Sequence, residues 1–312
     1  MPTGLKNLAP ELVGRILHFL DTRSLVHTSQ SDFALRAASE VELRNRVASE
    51  VGKHVTNPIA LLQKLGEVGG IISGSTALAV ALAGSQWDNV GGWQKKSDLD
   101  VYLGSEESLP DVVAYLQASD GYEKAELQEK DLEAYWEDIA RIRSITRLRS
   151  PKYATHVDVI CTAGGAATLA LPAFWGTLVM NFITSSRLVI LYPRQTLAGR
   201  GFTNDGTLVE RTQTCQQKYE RRGFNVSAYQ HNEENCTDIN SCCPSTLRYT
   251  EDPQCLSLSW DTRSTDTASG CRANSASFKS AAFAVSPTFW RWSGCEVLVP
   301  DTSTIGYMAG RL

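Results

Sequence analysis

The sequence predicts an α+β protein with three parts, and each part has its own residue pattern. In residues 1–50, apolar side chains recur at helical spacing. Residues 51–200 hold short apolar or alternating runs typical of strands, separated by segments with helical spacing. Residues 201–312 contain seven of the eight cysteines and long polar stretches with little periodicity. We therefore expect a helical unit, a core of strands and helices, and a Cys-containing, partly irregular extension.

Length and composition exclude several classes of protein. A chain of 312 residues exceeds one average domain, and 42% hydrophobic residues are enough for packed cores. The net charge of −4 gives no overall field that attracts nucleic acid, so such a contact would need a local basic patch. No apolar run approaches the ~20 residues of a membrane span, and the N-terminus lacks a signal-peptide pattern. We expect a cytoplasmic or nuclear protein with no membrane partner.

The first part begins with an amphipathic helix. Pro10 followed by Glu11 favours a helix start, because the first turn tolerates proline and acidic residues. Apolar residues then recur at helical spacing at Leu12, Val13, Ile16, Leu17, Phe19 and Leu20. Asp21 and Thr22 end this helix, and residues 24–26 begin another.

The order of these residues resembles the F-box. The matching segments are 8–12 (Leu-Ala-Pro-Glu-Leu), 16–21 (Ile-Leu-His-Phe-Leu-Asp), 24–26 (Ser-Leu-Val) and 29–36. Residues 30–33 (Gln-Ser-Asp-Phe) differ from the run that is usual in this family. The resemblance implies docking onto the Skp-type adaptor of a cullin–RING ubiquitin ligase, with an unknown client protein bound elsewhere on the chain. The alternative is a plain helical hairpin packed on the next domain.

A glycine turn and a pair of acids stand out in the second part. The apolar run at 71–73 predicts a buried strand, which Gly74 and Ser75 interrupt, and the small residues that follow predict a helix. Asp98 and Asp100 alternate with apolar residues, so both carboxylates lie on one face of a strand. Two carboxylates near a glycine turn and a helix N-terminus are suited to hold a divalent metal and a phosphate together.

These residues resemble the signature of the nucleotidyltransferase superfamily, the polymerase beta-like fold. That signature is a glycine turn after a strand, then Asp-x-Asp on a second strand, and a third carboxylate on a later strand. The best third candidate is Asp158, within the alternating run at 155–161. The segment between Ser75 and Asp98 is longer than usual because of a polar loop around residues 87–96. The resemblance covers about residues 60–200 and implies a mixed-sheet core.

The same resemblance implies a chemistry. Asp98, Asp100 and Asp158 would coordinate Mg²⁺, while Gly74 and Ser75 would hold the phosphates of a nucleoside triphosphate. The reaction would transfer a nucleoside monophosphate to the hydroxyl of an unknown acceptor. A second interpretation is that the acids are structural and the fold is a recognition module. The protein would then be a substrate receptor without catalytic activity. A soluble α+β protein with neither activity is the third.

Residues 141–149 and 155–162 predict a β-hairpin with arginines on one face. The arginines occupy alternate positions, and Asp158 is expected on their face. The core face should hold Ile142, Thr146 and Leu148 on the first strand, with Val157, Val159 and Cys161 on the second. Arg143 and Arg147 would then neutralise a triphosphate beside the carboxylates. Alternatively, the arginines pair with surface acids or with the aspartates themselves, in a site that binds nothing.

The remaining predictions concern other elements and the cysteines. Further helices are predicted at 58–65, 109–118, 126–140, 169–183 and 208–222, with a strand at 188–192 and a flexible loop at 261–280. A structural Zn²⁺ site could use His231, Cys236, Cys242 or Cys243, and Cys255. Because no Cys-x-x-Cys spacing occurs, free thiols fit the pattern better than zinc ligands, and disulfides are least expected in a cytosolic protein.

Overall fold

A computed structural model of the chain describes residues 4–5, 8–88, 90–127, 141–203, 209–228, 246–260 and 288–290. Over these residues the protein has an α+β fold, in which helices pack around a mixed eight-stranded sheet. Two further sheets in the described residues have two strands each. None of the described helices is both long and apolar enough to cross a lipid bilayer.

The predicted N-terminal helices are present as α1 (Pro10–His18), α2 (Thr22–Ser31) and α3 (Phe33–Val51). The carboxylate of Asp21 accepts a backbone N–H from the first turn of α2, and that of Asp32 does the same for α3. Such caps satisfy N–H groups that have no partner within the helix. The two aspartates therefore fix where α2 and α3 begin.

The glycine turn lies between a strand and a helix, as the sequence predicts. Helix α4 (Pro58–Glu67) leads to β1 (Ile71–Ser73), and α5 (Gly74–Leu82) begins directly at the turn. A 3₁₀ segment (Val90–Lys96) then precedes β2 (Leu99–Leu103). Nearly all of α5 is buried, so the turn lies in the interior of the fold.

The predicted β-hairpin is confirmed. After α6 (Leu109–Asp120) and β3 (Glu123–Ala125), the chain forms β4 (Ile142–Arg149) and β5 (Val157–Thr162), which pair antiparallel. The helix predicted over 126–140 lies outside the described residues from residue 128 onward.

The hairpin departs from the predicted face pattern at one end. Thr146 and Leu148 pair with the apolar residues of β5 that enter the core, as predicted, but the register shifts between Ile142 and Ser144. Ile142 belongs instead to the buried cluster that contains Ile160. The prediction that Ile142 shares a face with Thr146 and Leu148 is wrong, because a β-bulge adds one residue and inverts the alternation beyond it.

The prediction of a long helix over 169–183 is also wrong. This segment forms 3₁₀ turns at Ala167–Ala173 and Thr177–Val179, followed by β6 (Asn181–Ile183). Pro172 lies inside the first 3₁₀ turn and cannot donate a backbone hydrogen bond, so an α-helix cannot continue through it unbroken. Since the run is buried almost throughout, its apolar residues lack the periodicity that separates a helix from a strand.

The second half of the chain completes the sheet. The strand predicted at 188–192 and the helix predicted at 208–222 are both present. The elements are β7 (Arg187–Ile190), α7 (Pro193–Thr196), β8 (Arg200–Phe202), α8 (Val209–Glu220), β9 (Asn225–Ser227), β10 (Arg248–Tyr249), β11 (Leu256–Ser259) and β12 (Phe289–Trp290). The loop predicted at 261–280 lies outside the described residues.

The main sheet has the strand order β11-β7-β6-β1-β2-β5-β4-β3. Strands β2 and β5 run parallel, and every other neighbouring pair in this sheet is antiparallel. Val101 and Val159 enter one buried apolar cluster, whereas the next residues along each strand, Tyr102 and Ile160, enter a second. The sheet therefore has an apolar core on each face.

The N-terminal helices share the first of these clusters. Leu17 of α1 and Val47 of α3 are fully buried in the same cluster as Val101 and Val159. The contact between α3 and α5 continues this packing. The hydrophobic core is therefore continuous across residue 50.

Arg46 of α3 reinforces this junction. Its guanidinium donates hydrogen bonds to the carbonyl oxygens of Leu17, Leu20 and Ala83, at 2.9, 2.7 and 3.1 Å. Its Nε also donates to the Glu42 carboxylate at 2.8 Å. Because a guanidinium has five donors, one side chain satisfies carbonyl groups at the ends of both α1 and α5. The end of α1 is thereby fixed against the end of α5.

Candidate functional site

One row of polar side chains crosses four neighbouring strands of the sheet. In the strand register, Ser73 lies opposite Asp100, Asp100 lies beside Asp158, and Asp158 lies opposite Arg147. Neighbouring strands are about 4.8 Å apart, so these side chains are immediate neighbours. Asp98 lies two residues before Asp100, on the same side. The structure therefore brings Asp98, Asp100 and Asp158 together, and we call these three residues the acid cluster.

The glycine turn borders the acid cluster. Gly74 has a backbone φ of +66°, a conformation that favours glycine, and a Cβ at this position would lie 2.3 Å from Oδ2 of Asp100. Ser75 is half-buried in the first turn of α5, while the hydroxyl of Ser73 donates to the carbonyl oxygen of Asn181 at 2.6 Å. Gly74 is thus required both by the backbone and by the close approach of Asp100.

Asp158 is held by a buried arginine. Nε and Nη2 of Arg147 donate to Oδ1 and Oδ2 of Asp158 at 2.9 and 2.8 Å, and both side chains are buried. Burial alone would raise the pKa of Asp158, but hydrogen bonds from Arg147 and His156 outweigh it and hold the pKa below its ordinary value. Asp158 is therefore an ionised carboxylate whose two oxygens face the same arginine.

His156 joins two of the acids. Its Nδ1 lies 2.9 Å from Oδ1 of Asp98, and its Nε2 lies 3.4 Å from Oδ2 of Asp158. Burial acts to lower the pKa of His156, but the hydrogen bonds and charges of these two carboxylates raise it to about 9. His156 is consequently a cation at neutral pH.

Asp100 differs from the other two acids. Its carboxylate forms no hydrogen bond or ion pair with any residue that the structure describes. Burial, with the negative charges of Asp158 and Asp98 adding to it, raises the pKa of Asp100 to about 7. Asp100 is therefore partly protonated at neutral pH, while its neighbours are neutralised by Arg147 and His156.

His156 has a role that was not predicted from the sequence. The signal was available, because His156-x-Asp158 repeats the spacing of Asp98-x-Asp100. In a parallel pair with Asp100 beside Asp158, Asp98 must lie beside His156. What the sequence did not reveal was that the strands carrying the two motifs are neighbours and parallel.

The arginines of β4 have separate environments. Arg147 is buried in the acid cluster, whereas the side chain of Arg143 is 64% exposed and its Nε lies 3.0 Å from Oε2 of Glu106. The bulge at this end of β4 interrupts the alternation that was expected to place the two together. Of the two arginines predicted to meet a triphosphate, only Arg147 contacts the acid cluster.

Protein cations already contact two of the three carboxylates that were expected to hold Mg²⁺. Among the described residues, no group of three or more His, Cys, Asp and Glu side chains is placed to hold a metal ion. The physical reason is that Asp158 is engaged by Arg147, and Asp98 by His156. A divalent ion bound here would have to replace these contacts at Asp158 and at Oδ1 of Asp98.

The predicted zinc ligands are described only in part. His231, Cys236, Cys242 and Cys243 lie outside the described residues. The Cys255 thiol is free, and its sulfur lies 3.5 Å from both Nη2 of Arg248 and Oδ1 of Asp252. Burial, with the charge of Asp252, raises the pKa of Cys255 to about 12, so its thiol is protonated and unreactive.

A second unusual surface lies on the N-terminal helices. Val13 and Leu17 of α1 are buried, but Leu12, Ile16 and Phe19 are 48%, 37% and 78% exposed. Their spacing of four and three residues puts these three side chains on one side of the helix, which we call the outer stripe. The apolar residues of α1 thus lie on two sides of the helix. The inner side packs on α3, and the outer stripe is exposed to solvent.

Other N-terminal residues are also apolar and exposed. Leu8 just before α1, Phe33 at the start of α3 and Val41 within α3 are 39%, 73% and 55% exposed. Large apolar side chains exposed together in a folded monomer often mark a protein–protein interface.

Comparisons of the chain with protein-family models, with curated proteins and with solved structures gave no match. The functional argument therefore depends on the residues themselves.

Proposed function

We propose that this protein is a substrate receptor of a cullin–RING ubiquitin ligase. In this proposal α1–α3 act as an F-box that docks onto a Skp-type adaptor, and the sheet-containing part of the chain binds an unknown client. The observation that carries the proposal is the outer stripe. Leu12, Ile16 and Phe19 are apolar and exposed although neighbouring residues of the same helix provide a complete inner face.

An amphipathic helix that presents a second apolar side can bind a groove on a partner. Burying Phe19, the most exposed residue of the stripe, would give about 1.5–3 kcal/mol relative to leaving it in water. The helical order and the aspartate caps agree with the resemblance of residues 8–36 to the F-box.

The acid cluster supports a binding role for the rest of the chain. Arg147 and His156 neutralise two of its three carboxylates, and the Arg147–Asp158 pair joins β4 to β5. A receptor needs a rigid scaffold for its client and no catalytic residue. Arg46 and the continuous core join that scaffold to the docking helices.

The test is direct binding between the full-length chain and a purified Skp-type adaptor. Phe19→Ser should weaken the affinity at least about tenfold, since 1.4 kcal/mol corresponds to a factor of ten. Leu247→Ser is the matched control, because Leu247 is 45% exposed but lies outside the N-terminal helices. No binding by the unmodified chain, or equal losses in the two variants, would refute the receptor proposal.

The alternative function is Mg²⁺-dependent transfer of a nucleoside monophosphate. The observation in its favour is the Asp100 carboxylate, which forms no hydrogen bond with a described residue and lies against the glycine turn. This function requires Arg147 and His156 to release the carboxylates that they now engage. Nucleoside triphosphate binding that depends on Mg²⁺ or Mn²⁺, and that is abolished in an Asp98→Ala/Asp100→Ala variant, would favour it over the receptor alone.

A further inference from the structure

A cavity of about 340 Å³ opens beside the acid cluster. Its walls come from the end of the 3₁₀ segment before β2, the end of β4 and the turn between β4 and β5. Asp98 and His156 contribute to the wall that borders the acid cluster. The volume lies within the range of about 300–1,000 Å³ that is typical of small-molecule sites.

The cavity has an excess of positive charge. Lys95, Lys96 and Arg149 line it, and no described residue forms an ion pair with any of them. Among the described residues of the lining, Asp98 is the one acid, and its carboxylate already faces Nδ1 of His156 at 2.9 Å. The three cations are exposed and have no counter-charge among the described residues, so together they attract an anion to this concave surface.

The neutral polar groups of the lining are already engaged. The Tyr153 hydroxyl donates to Oδ1 of Asp120 at 2.8 Å, and Oγ1 of Thr155 lies 3.0 Å from Nδ1 of His54. The two ammonium groups and the guanidinium form no hydrogen bond with a described residue, so they are the charged donors offered to a ligand. Ammonium and guanidinium groups donate hydrogen bonds and accept none. The ligand must therefore offer several acceptor oxygens and a negative charge.

A phosphate monoester meets these requirements better than a carboxylate. It carries close to two charges and three acceptor oxygens at neutral pH, so one guanidinium can take two oxygens while lysines approach from another side. The planar fork of Arg149 suits that geometry, and Lys95 and Lys96 act as point charges.

We propose that this cavity binds a phosphate monoester dianion through Arg149, Lys95 and Lys96. The phosphate can belong to a phosphorylated side chain of a protein or to a small molecule, since the recognised chemistry is the same. This site is independent of adaptor docking, because none of its three cations lies in α1–α3.

The experiment measures ligand binding to the full-length chain by titration calorimetry. The probes are a peptide with one phosphoserine, the same peptide with unmodified serine, and AMP. The expected result is saturable binding of the phosphopeptide or AMP, while the unmodified peptide binds at least about tenfold more weakly. Preference for the phosphopeptide would indicate a protein ligand, and preference for AMP a small molecule.

Charge-removing variants locate the site. Arg149→Gln should weaken phosphate binding about tenfold or more, and Lys95→Gln with Lys96→Gln by a similar factor, because each change removes charge-assisted hydrogen bonds. Arg200→Gln is the control, since Arg200 is an exposed cation on β8 and does not line the cavity. All three variants should keep the thermal midpoint of the parent and its adaptor binding.

The proposal is overturned if neither phosphorylated probe binds at millimolar concentration, if the unmodified peptide binds equally well, or if Arg200→Gln weakens binding as much as Arg149→Gln. Because adaptor binding is measured on the same samples, loss of one function is separable from loss of the other.

Discussion

The acid cluster and the outer stripe of α1 each place side chains in an environment that is unfavourable for them, but the two environments are opposite. Asp158 is a charge inside the protein, and Phe19 is an aromatic ring in water. The first is compensated within the fold, since Arg147 and His156 surround the carboxylate. The second keeps one edge-on contact, with the His18 ring at 5.6 Å between centroids, and is otherwise 78% exposed. The difference indicates that the acid cluster stabilises the protein, whereas the outer stripe is available to a partner.

The comparison predicts that breaking the buried ion pair has the largest effect. Arg147→Met should lower the free energy of unfolding by about 3–5 kcal/mol, because it leaves a buried carboxylate without its main partner. Arg143→Met, on the same strand but in an exposed pair with Glu106, should cost less than about 1 kcal/mol. Urea denaturation measures both values, and similar losses would contradict the structural role of the cluster.

His156 should make stability depend on pH on the alkaline side. Its pKa is raised from 6.5 to about 9 in the folded protein. Its contribution, on the order of 3 kcal/mol, is therefore fully present below the unfolded value and disappears as pH rises through the folded value. His156→Gln should be less stable than the parent near neutral pH and approach it at alkaline pH. A gap that does not change with pH would contradict this.

Gly74→Ala should have an intermediate effect. The positive φ and the contact with Asp100 together should cost about 2 kcal/mol. Asp100→Ala should reduce that loss, because the carboxylate is the atom group that a new Cβ meets. The control is Gly14→Ala in α1, where no atom lies within 4 Å of the new Cβ and helix propensity should raise stability. Thermal unfolding of Gly74→Ala, Asp100→Ala, the Gly74→Ala/Asp100→Ala double variant and Gly14→Ala tests the prediction.

The smallest effect on stability is expected at the outer stripe. Phe19→Ser should change the free energy of unfolding by less than about 0.5 kcal/mol, because the ring is already in solvent. Leu17→Ala, in the buried face of the same helix, should cost about 2–5 kcal/mol. If Phe19→Ser destabilised the fold as much as Leu17→Ala, the exposed ring would stabilise the fold. Loss of adaptor binding in that variant would then not show that Phe19 contacts the adaptor.

Much of the site was predictable because strand alternation is a local property. The spacing of Asp98 and Asp100 and the hairpin around residues 150–152 were enough to place Asp158 on the face of Arg147. Capping chemistry also acts over a few residues, but the second helix was expected to begin at residue 24, and the starts capped by Asp21 and Asp32 were not predicted.

The errors arose where the outcome depends on the whole fold. The bulge beside Ile142 has no local signature in the sequence, yet it separates Arg143 from Arg147. The buried run containing Pro172 has too little polarity for a period to be recognised. The bridging role of His156 depends on β2 and β5 being parallel neighbours, which is a property of topology.

If α1–α3 dock onto an adaptor as proposed, the hydrogen bonds of Arg46 would also constrain the geometry of ubiquitylation. A flexible tether would let a bound client sample many distances from the ligase. Here Arg46 hydrogen-bonds the end of α1 to the end of α5. A client bound by the sheet would therefore keep one orientation relative to the adaptor. Lysines on only one side of that client would then come within range of the incoming ubiquitin.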